Sequence, residues 1–77
     1  MKVGELYDVI EDVRFQVVEY DPAAWTETVL FDNGDEAMYE KGLDEQVANA
    51  TVETVYSFVD ETEEVVVQAN IRKYPSK

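Results

Sequence analysis

The chain has 77 residues, 18 acidic and six basic, with no cysteine or histidine and a formal charge of −12. That length fits one domain. The missing residue types exclude disulfides, thiolate metal sites and a cysteine nucleophile, together with the commonest metal ligand and general base near neutral pH. Thirteen valines, five tyrosines, three phenylalanines and one tryptophan are too much apolar content for a disordered acidic tail.

All 18 acids lie between Glu5 and Glu64, where the only bases are Arg14 and Lys41; Arg72, Lys73 and Lys77 then form a small basic end. Such a field repels nucleic acid and anionic lipid and speeds encounter with basic partners. The opening Met1-Lys2-Val3-Gly4-Glu5 lacks the apolar run of a secretory signal, and no apolar stretch approaches a membrane span. The expectation is a cytoplasmic protein without a cofactor, a membrane contact or direct nucleic-acid binding.

In chain order, Val3, Leu6, Tyr7 and Ile10 fall at i, i+3, i+4 and i+7 and predict a short helix over 4–12, with Gly4 as a weak N-cap and Glu5 suiting the helix dipole. Val13 to Val17 alternates as a half-buried strand, and Val18-Glu19-Tyr20 breaks the alternation, predicting a bulge or an end buried on both faces. Asp21-Pro22 reads as a turn. A second strand from Trp25 to Phe31 places Trp25, Val29 and Phe31 on one face and Thr26, Thr28 and Leu30 on the other. Asp32-Asn33-Gly34-Asp35 is a turn, since Asn-Gly tolerates positive φ.

The stretch 35–50 reads either as one or two short helices or as a hairpin, with the helical reading preferred. Thr51 to Val59 and Val65 to Arg72 alternate around the polar loop Asp60-Glu61-Thr62-Glu63 and form a hairpin, and Tyr74-Pro75 should end the fold. The predicted fold class is α+β: an N-terminal helix on a mainly antiparallel four-stranded sheet, in the order α-β-β-(short α)-β-β. One apolar set comprises Val13, Phe15, Val17, Val52, Tyr56, Phe58, Val65, Val67 and Ile71, and the opposite faces carry Val18, Tyr20, Leu30, Val55, Val59 and Val66. One helix cannot cover both. Either 35–50 packs over the second face, or that face meets a partner or a second copy.

Asp32, Asp35 and Glu36 miss the spacing of a calcium loop, and Asp60 to Glu64 read as a solvated hairpin tip, so no metal site is expected. Ser57 and Ser76 have no activating base, and three scattered glycines make no phosphate loop. These readings point away from an enzyme. Trp25 reads as a core or lid residue. Acids with interspersed tyrosines suit an arginine-rich protein, through charge pairing and cation–π contacts. The residues expected to meet such a partner are Glu19, Tyr20, Asp21, Asp32, Asp35, Glu36, Tyr39, Glu40, Asp60, Glu61, Glu63 and Glu64.

The opening Met1 to Ile10, running into Arg14-Phe15-Gln16-Val17-Val18, resembles small phage and mobile-element proteins in which a short helix leads into an antiparallel sheet. In size and charge the chain is also similar to small acidic phage inhibitors such as anti-CRISPR and other DNA-mimic proteins. That resemblance implies a non-enzymatic inhibitor whose acidic surface occupies a basic, nucleic-acid-binding protein. The competing expectation is a structural or assembly protein that forms homodimers or larger oligomers through an apolar sheet face, its acidity serving solubility or adaptation to high salt.

Overall fold

The four residues of the first apolar stripe, Val3, Leu6, Tyr7 and Ile10, all pack into one cluster with Phe15, Val17, Phe31, Ala69 and Ile71. This is the arrangement in a computed structural model that describes residues 1–10 and 13–72. The elements run α1 (Val3–Val9), β1 (Arg14–Asp21), β2 (Thr26–Asp32), α2 (Glu36–Lys41), α3 (Glu45–Ala48), β3 (Thr54–Val59) and β4 (Val65–Arg72). The chain is therefore α+β, with three helices and one four-stranded sheet among the described residues.

Helix α1 is shorter than expected. It begins after Lys2, not Gly4, and the Lys2 amide donates to Glu5 Oε1 at 2.9 Å. Two turns are marginal as an isolated helix, so packing must hold them. Tyr7 stacks on Phe15 with ring centroids 5.2 Å apart and meets Phe31 edge-on at 5.4 Å. Gly4 lets α1 approach α3, since a Cβ there would sit 3.3 Å from both the Cβ and the carbonyl oxygen of Ala48. The expected helix end at Glu11-Asp12, the Tyr74-Pro75 terminator and the basic residues Lys73 and Lys77 lie outside the described residues.

The sheet has the order β2-β1-β4-β3 and is mixed. Both hairpins are antiparallel, but the central pair is parallel, from Arg14↔Val66 to Tyr20↔Arg72. The correction has a physical cause. β1 and β4 carry buried apolar residues on both faces (Val17 and Val18, Val66 and Ala69), so they take the centre. The segment from Asn33 to Glu53 then supplies the long, helical crossover that β2 needs to reach the far edge.

Between Val17 and Val18 the β1–β2 register shifts: Val17 pairs with Phe31 and Val18 with Val29, leaving Leu30 as an extra residue on β2. The irregularity expected at Val18 is present, but the bulge is on the partner strand. It sends both Phe31 and Leu30 towards the helices and Val29 to the other side, correcting the expected alternation. Trp25 is not in the strand at all. It sits in the β1–β2 turn with φ 56°.

The turn at Asn33-Gly34 forms, although neither residue has positive φ. Asn33 instead extends the β1 ladder: its Oδ1 accepts from the Phe15 amide at 2.8 Å and its Nδ2 donates to Val13 O at 3.1 Å. Gly34 leaves room for the Arg14 side chain, since a Cβ there would lie 2.7 Å from Arg14 Nε and push it from its place.

Met38, Leu43, Val47 and Ala50 of the 35–50 segment join the same cluster as α1. All three helices therefore cover one face, and the segment does not shield the second face. β3 also differs from expectation. It starts at Thr54, and its register sets Tyr56 opposite Gln68 and Phe58 opposite Val66, on the uncovered face rather than with Phe15 and Val17.

Candidate functional site

The sheet face turned away from the helices is built from alternate residues: Arg14, Gln16, Val18 and Tyr20 on β1, Val66, Gln68 and Asn70 on β4, and Thr54, Tyr56 and Phe58 on β3. Val18, Val66 and Asn70 are buried at its centre, and the β3 residues are exposed. Its two ends have different chemistry.

At one end, Arg14 organises the local acids. Its Nε donates to Asp32 Oδ1 at 3.1 Å and its Nη2 to Asp32 Oδ2 at 2.7 Å, a bidentate pair, while Nη1 donates to Asp60 Oδ2 at 3.0 Å. Gln16 Nε2 adds a donor to Asp32 at 2.9 Å. The Arg14 hydrogen bond is the main reason Asp32 falls from 3.8 to about 2; burial opposes the shift, and donors from Gln16 and the Gly34 amide assist it. Arg14 is raised above its already high value, mainly by the same hydrogen bond. Asp60 is also lowered, first by the Thr62 hydroxyl and then by the Glu64 amide. It ties the β3–β4 loop, where Glu63 holds φ 64°.

At the other end is a groove of about 410 Å³, walled by Tyr20, Asp21, Trp25, Glu27 and Tyr56. Pro22, Thr26, Thr54, Gln68 and Asn70 complete it. The turn that displays Trp25 is fixed from within: Asp21 Oδ1 accepts from the amides of Ala23 (3.0 Å) and Ala24 (3.3 Å), and the Trp25 amide donates to Asp21 O at 2.8 Å. Trp25 is 91% exposed. A bulky residue in the left-handed region is a true outlier, and such strain is retained where surrounding structure enforces it. Beneath lies Asn70, 6% exposed, whose Nδ2 has no hydrogen-bond partner among the described residues. Buried amides are nearly always paired, so this donor stands out.

The acids expected to act together are distributed over the molecule. Glu19 and Tyr20 point to opposite faces; Glu19 borders a hollow on the helical side with Leu30 and Ile71. Tyr20 lines the groove, and its hydroxyl donates to Glu53 Oε2 at 2.8 Å. Asp21 is on the groove rim. Asp32 is buried in its pair with Arg14. Asp35 caps α2 by accepting from the Met38 amide, and Glu36, Tyr39 and Glu40 lie on α2 in the helical layer. Asp60, Glu61, Glu63 and Glu64 occupy the loop at the Arg14 end. Of the twelve expected contact residues, only Tyr20 and Asp21 come together in the groove.

Sequence reading missed Trp25, Tyr56 and Asn70 as a group. No local signal marks the group: Asn70 alternates with Gln68 and Arg72 on β4, as any outward-facing polar residue would. Among the described residues, no group of three or more acids converges in metal-binding geometry, and no helix is long and apolar enough to cross a membrane. Compared with protein-family models, curated proteins and solved structures, the chain matches none.

Proposed function

We propose that this chain is a non-enzymatic binding protein that acts on a basic, nucleic-acid-binding protein, as a small inhibitor of the kind made by phages and mobile elements. The observation that carries this reading is the sheet face turned away from the helices, which exposes Tyr56 and Phe58 and has an exposed Trp25 held over a groove, in a protein of net charge −12. An uncovered face bearing exposed aromatics marks a contact surface, and the charge selects cationic partners and repels nucleic acid. Because the acids are distributed over both layers and both ends of the sheet, aromatic contacts on the open face supply the specificity, and the overall field supplies the encounter rate.

The test is binding to a purified basic DNA-binding protein first captured from lysate. Affinity should fall steeply as salt rises, duplex DNA should compete, and Trp25→Ala should weaken binding without unfolding the protein. Binding that ignores salt and survives Trp25→Ala contradicts the reading.

A second reading is favoured by one further observation. Every residue of the edge strand β3 is exposed, including Val55, Tyr56, Phe58 and Val59, and the strand holds no charge, proline or glycine. Such an edge is a template for strand pairing. Self-association through β3 would appear in light scattering as a mass that rises with concentration and returns to the monomer value with Val55→Lys. A strict monomer at high concentration rules this out.

A further inference from the structure

We propose that the groove between Trp25 and Tyr56 is a slot for an arginine side chain of an extended basic peptide, one of whose backbone carbonyls accepts a hydrogen bond from Asn70 Nδ2. The inference rests on the protein-binding reading above and names the chemistry of its ligand.

The floor of the slot states the first requirement. Asn70 Nδ2 is a donor, buried and without a partner among the described residues, so a molecule bound against it brings an acceptor oxygen. Its neighbour Gln68 does not meet this need: the Gln68 amide turns to Gln16, donating from Nε2 to Gln16 Oε1 at 3.3 Å, and makes no bond to Asn70 Nδ2. Carboxylates and phosphates are acceptors, but a chain of charge −12 with Asp21 and Glu27 on this rim repels them. The acceptor must therefore be neutral and belong to a molecule that is neutral or cationic overall.

The walls state the second. Trp25 is almost wholly exposed, and Tyr56 is 56% exposed. Aromatic faces at such an opening attract a guanidinium or ammonium group, and arginine also stacks on them. Asp21 engages only Oδ1 in its own turn, and neither Asp21 Oδ2 nor the Glu27 carboxylate has a partner among the described residues. Free carboxylates beside aromatic faces select a cation over a neutral ring. Arginine in a peptide supplies both requirements at once, a planar cation and an adjacent carbonyl.

Trp25 is the only tryptophan, so its emission reads this site directly. The probe is acetyl-Gly-Arg-Gly-amide, compared with the same peptide carrying citrulline, which keeps the shape and loses the charge. The expected result is a saturable emission change with the arginine peptide that weakens as salt rises. The citrulline peptide should bind about tenfold less tightly, the size of one well-formed cation–π contact. By calorimetry, Tyr56→Ala and Asn70→Leu should each weaken the arginine peptide by about tenfold, with far-UV circular dichroism unchanged. Equal binding of the two peptides, saturation by maltose without a response to arginine, or no saturable response overturns the slot. If the peptide fails while the purified basic partner still binds in a salt-dependent way that Trp25→Ala weakens, the slot alone falls. If neither binds, both readings fall.

Discussion

Replacing Asn70 by leucine should make this protein more stable. The Asn70 side chain is buried in the central strand β4, between Val18 of β1 and Thr54 of β3, and its Nδ2 lacks a partner among the described residues. A buried, unsatisfied donor costs about 1–3 kcal/mol, and an apolar group of similar shape removes that cost without opening a cavity. The backbone contact is untouched, because the Glu53 amide donates to the Asn70 carbonyl, not to its side chain. We therefore expect a gain of about 1–3 kcal/mol, which in a domain of this size raises Tm by about 4–8 °C per kcal/mol. Urea unfolding should show a higher midpoint at unchanged slope, the pattern of a stability change that leaves the denatured state alone. Loss of stability in Asn70→Leu would mean that the amide is satisfied in the free protein and that the groove floor carries no spare donor. A gain in stability coupled to a loss of binding is the signature of a residue kept for function.

Three further outcomes follow from the same geometry. Asp32 is lowered from 3.8 to about 2, so its ionised form stabilises the fold above about pH 4, and that contribution is lost as pH falls towards 2; acid titration by circular dichroism should show about 2 kcal/mol disappearing in that window. Asp32→Asn should remove most of this dependence and cost about 1.5–3 kcal/mol at neutral pH, because the bidentate partner of Arg14 is lost; a variant as stable as the parent at pH 7 contradicts the assigned role. Trp25→Gly should leave stability equal or raise it by up to about 1 kcal/mol, since glycine tolerates the left-handed φ that tryptophan is forced to adopt, and should abolish peptide binding; a marked loss of stability would show that Trp25 packs after all.

Much of the fold was legible because it rests on periodicity. The α1 stripe, the β4 span from Val65 to Arg72 and the helical character of 35–50 are all local patterns, and all three are present. Non-local features were not legible. Nothing in either hairpin says that β1 and β4 will pair in parallel, since that choice depends on which strands need cover on both faces. The extra residue at Leu30 is visible only against its partner Val17-Val18, and without it Val29 and Phe31 were assigned to one face. Tyr56 and Phe58 went to the wrong side because alternation gives two faces and does not say which one the helices cover. The acids misled for a related reason. Asp32, Asp35 and Asp60 look like surface charge in the sequence, yet one pairs with Arg14, one caps α2 and one ties a loop. The groove required Trp25 to leave the strand, and no residue pattern signals a left-handed tryptophan.

The most direct test of the open groove as the contact surface is a map of amide chemical shifts during titration with the arginine peptide at low salt. The account predicts that the Trp25 indole, the Asn70 side-chain amide and the backbone of Thr26 and Tyr56 move together, while α2 and the loop from Asp60 to Glu64 stay still. Shifts confined to α2 and that loop, with the groove silent, would show that diffuse charge rather than a built site holds the ligand.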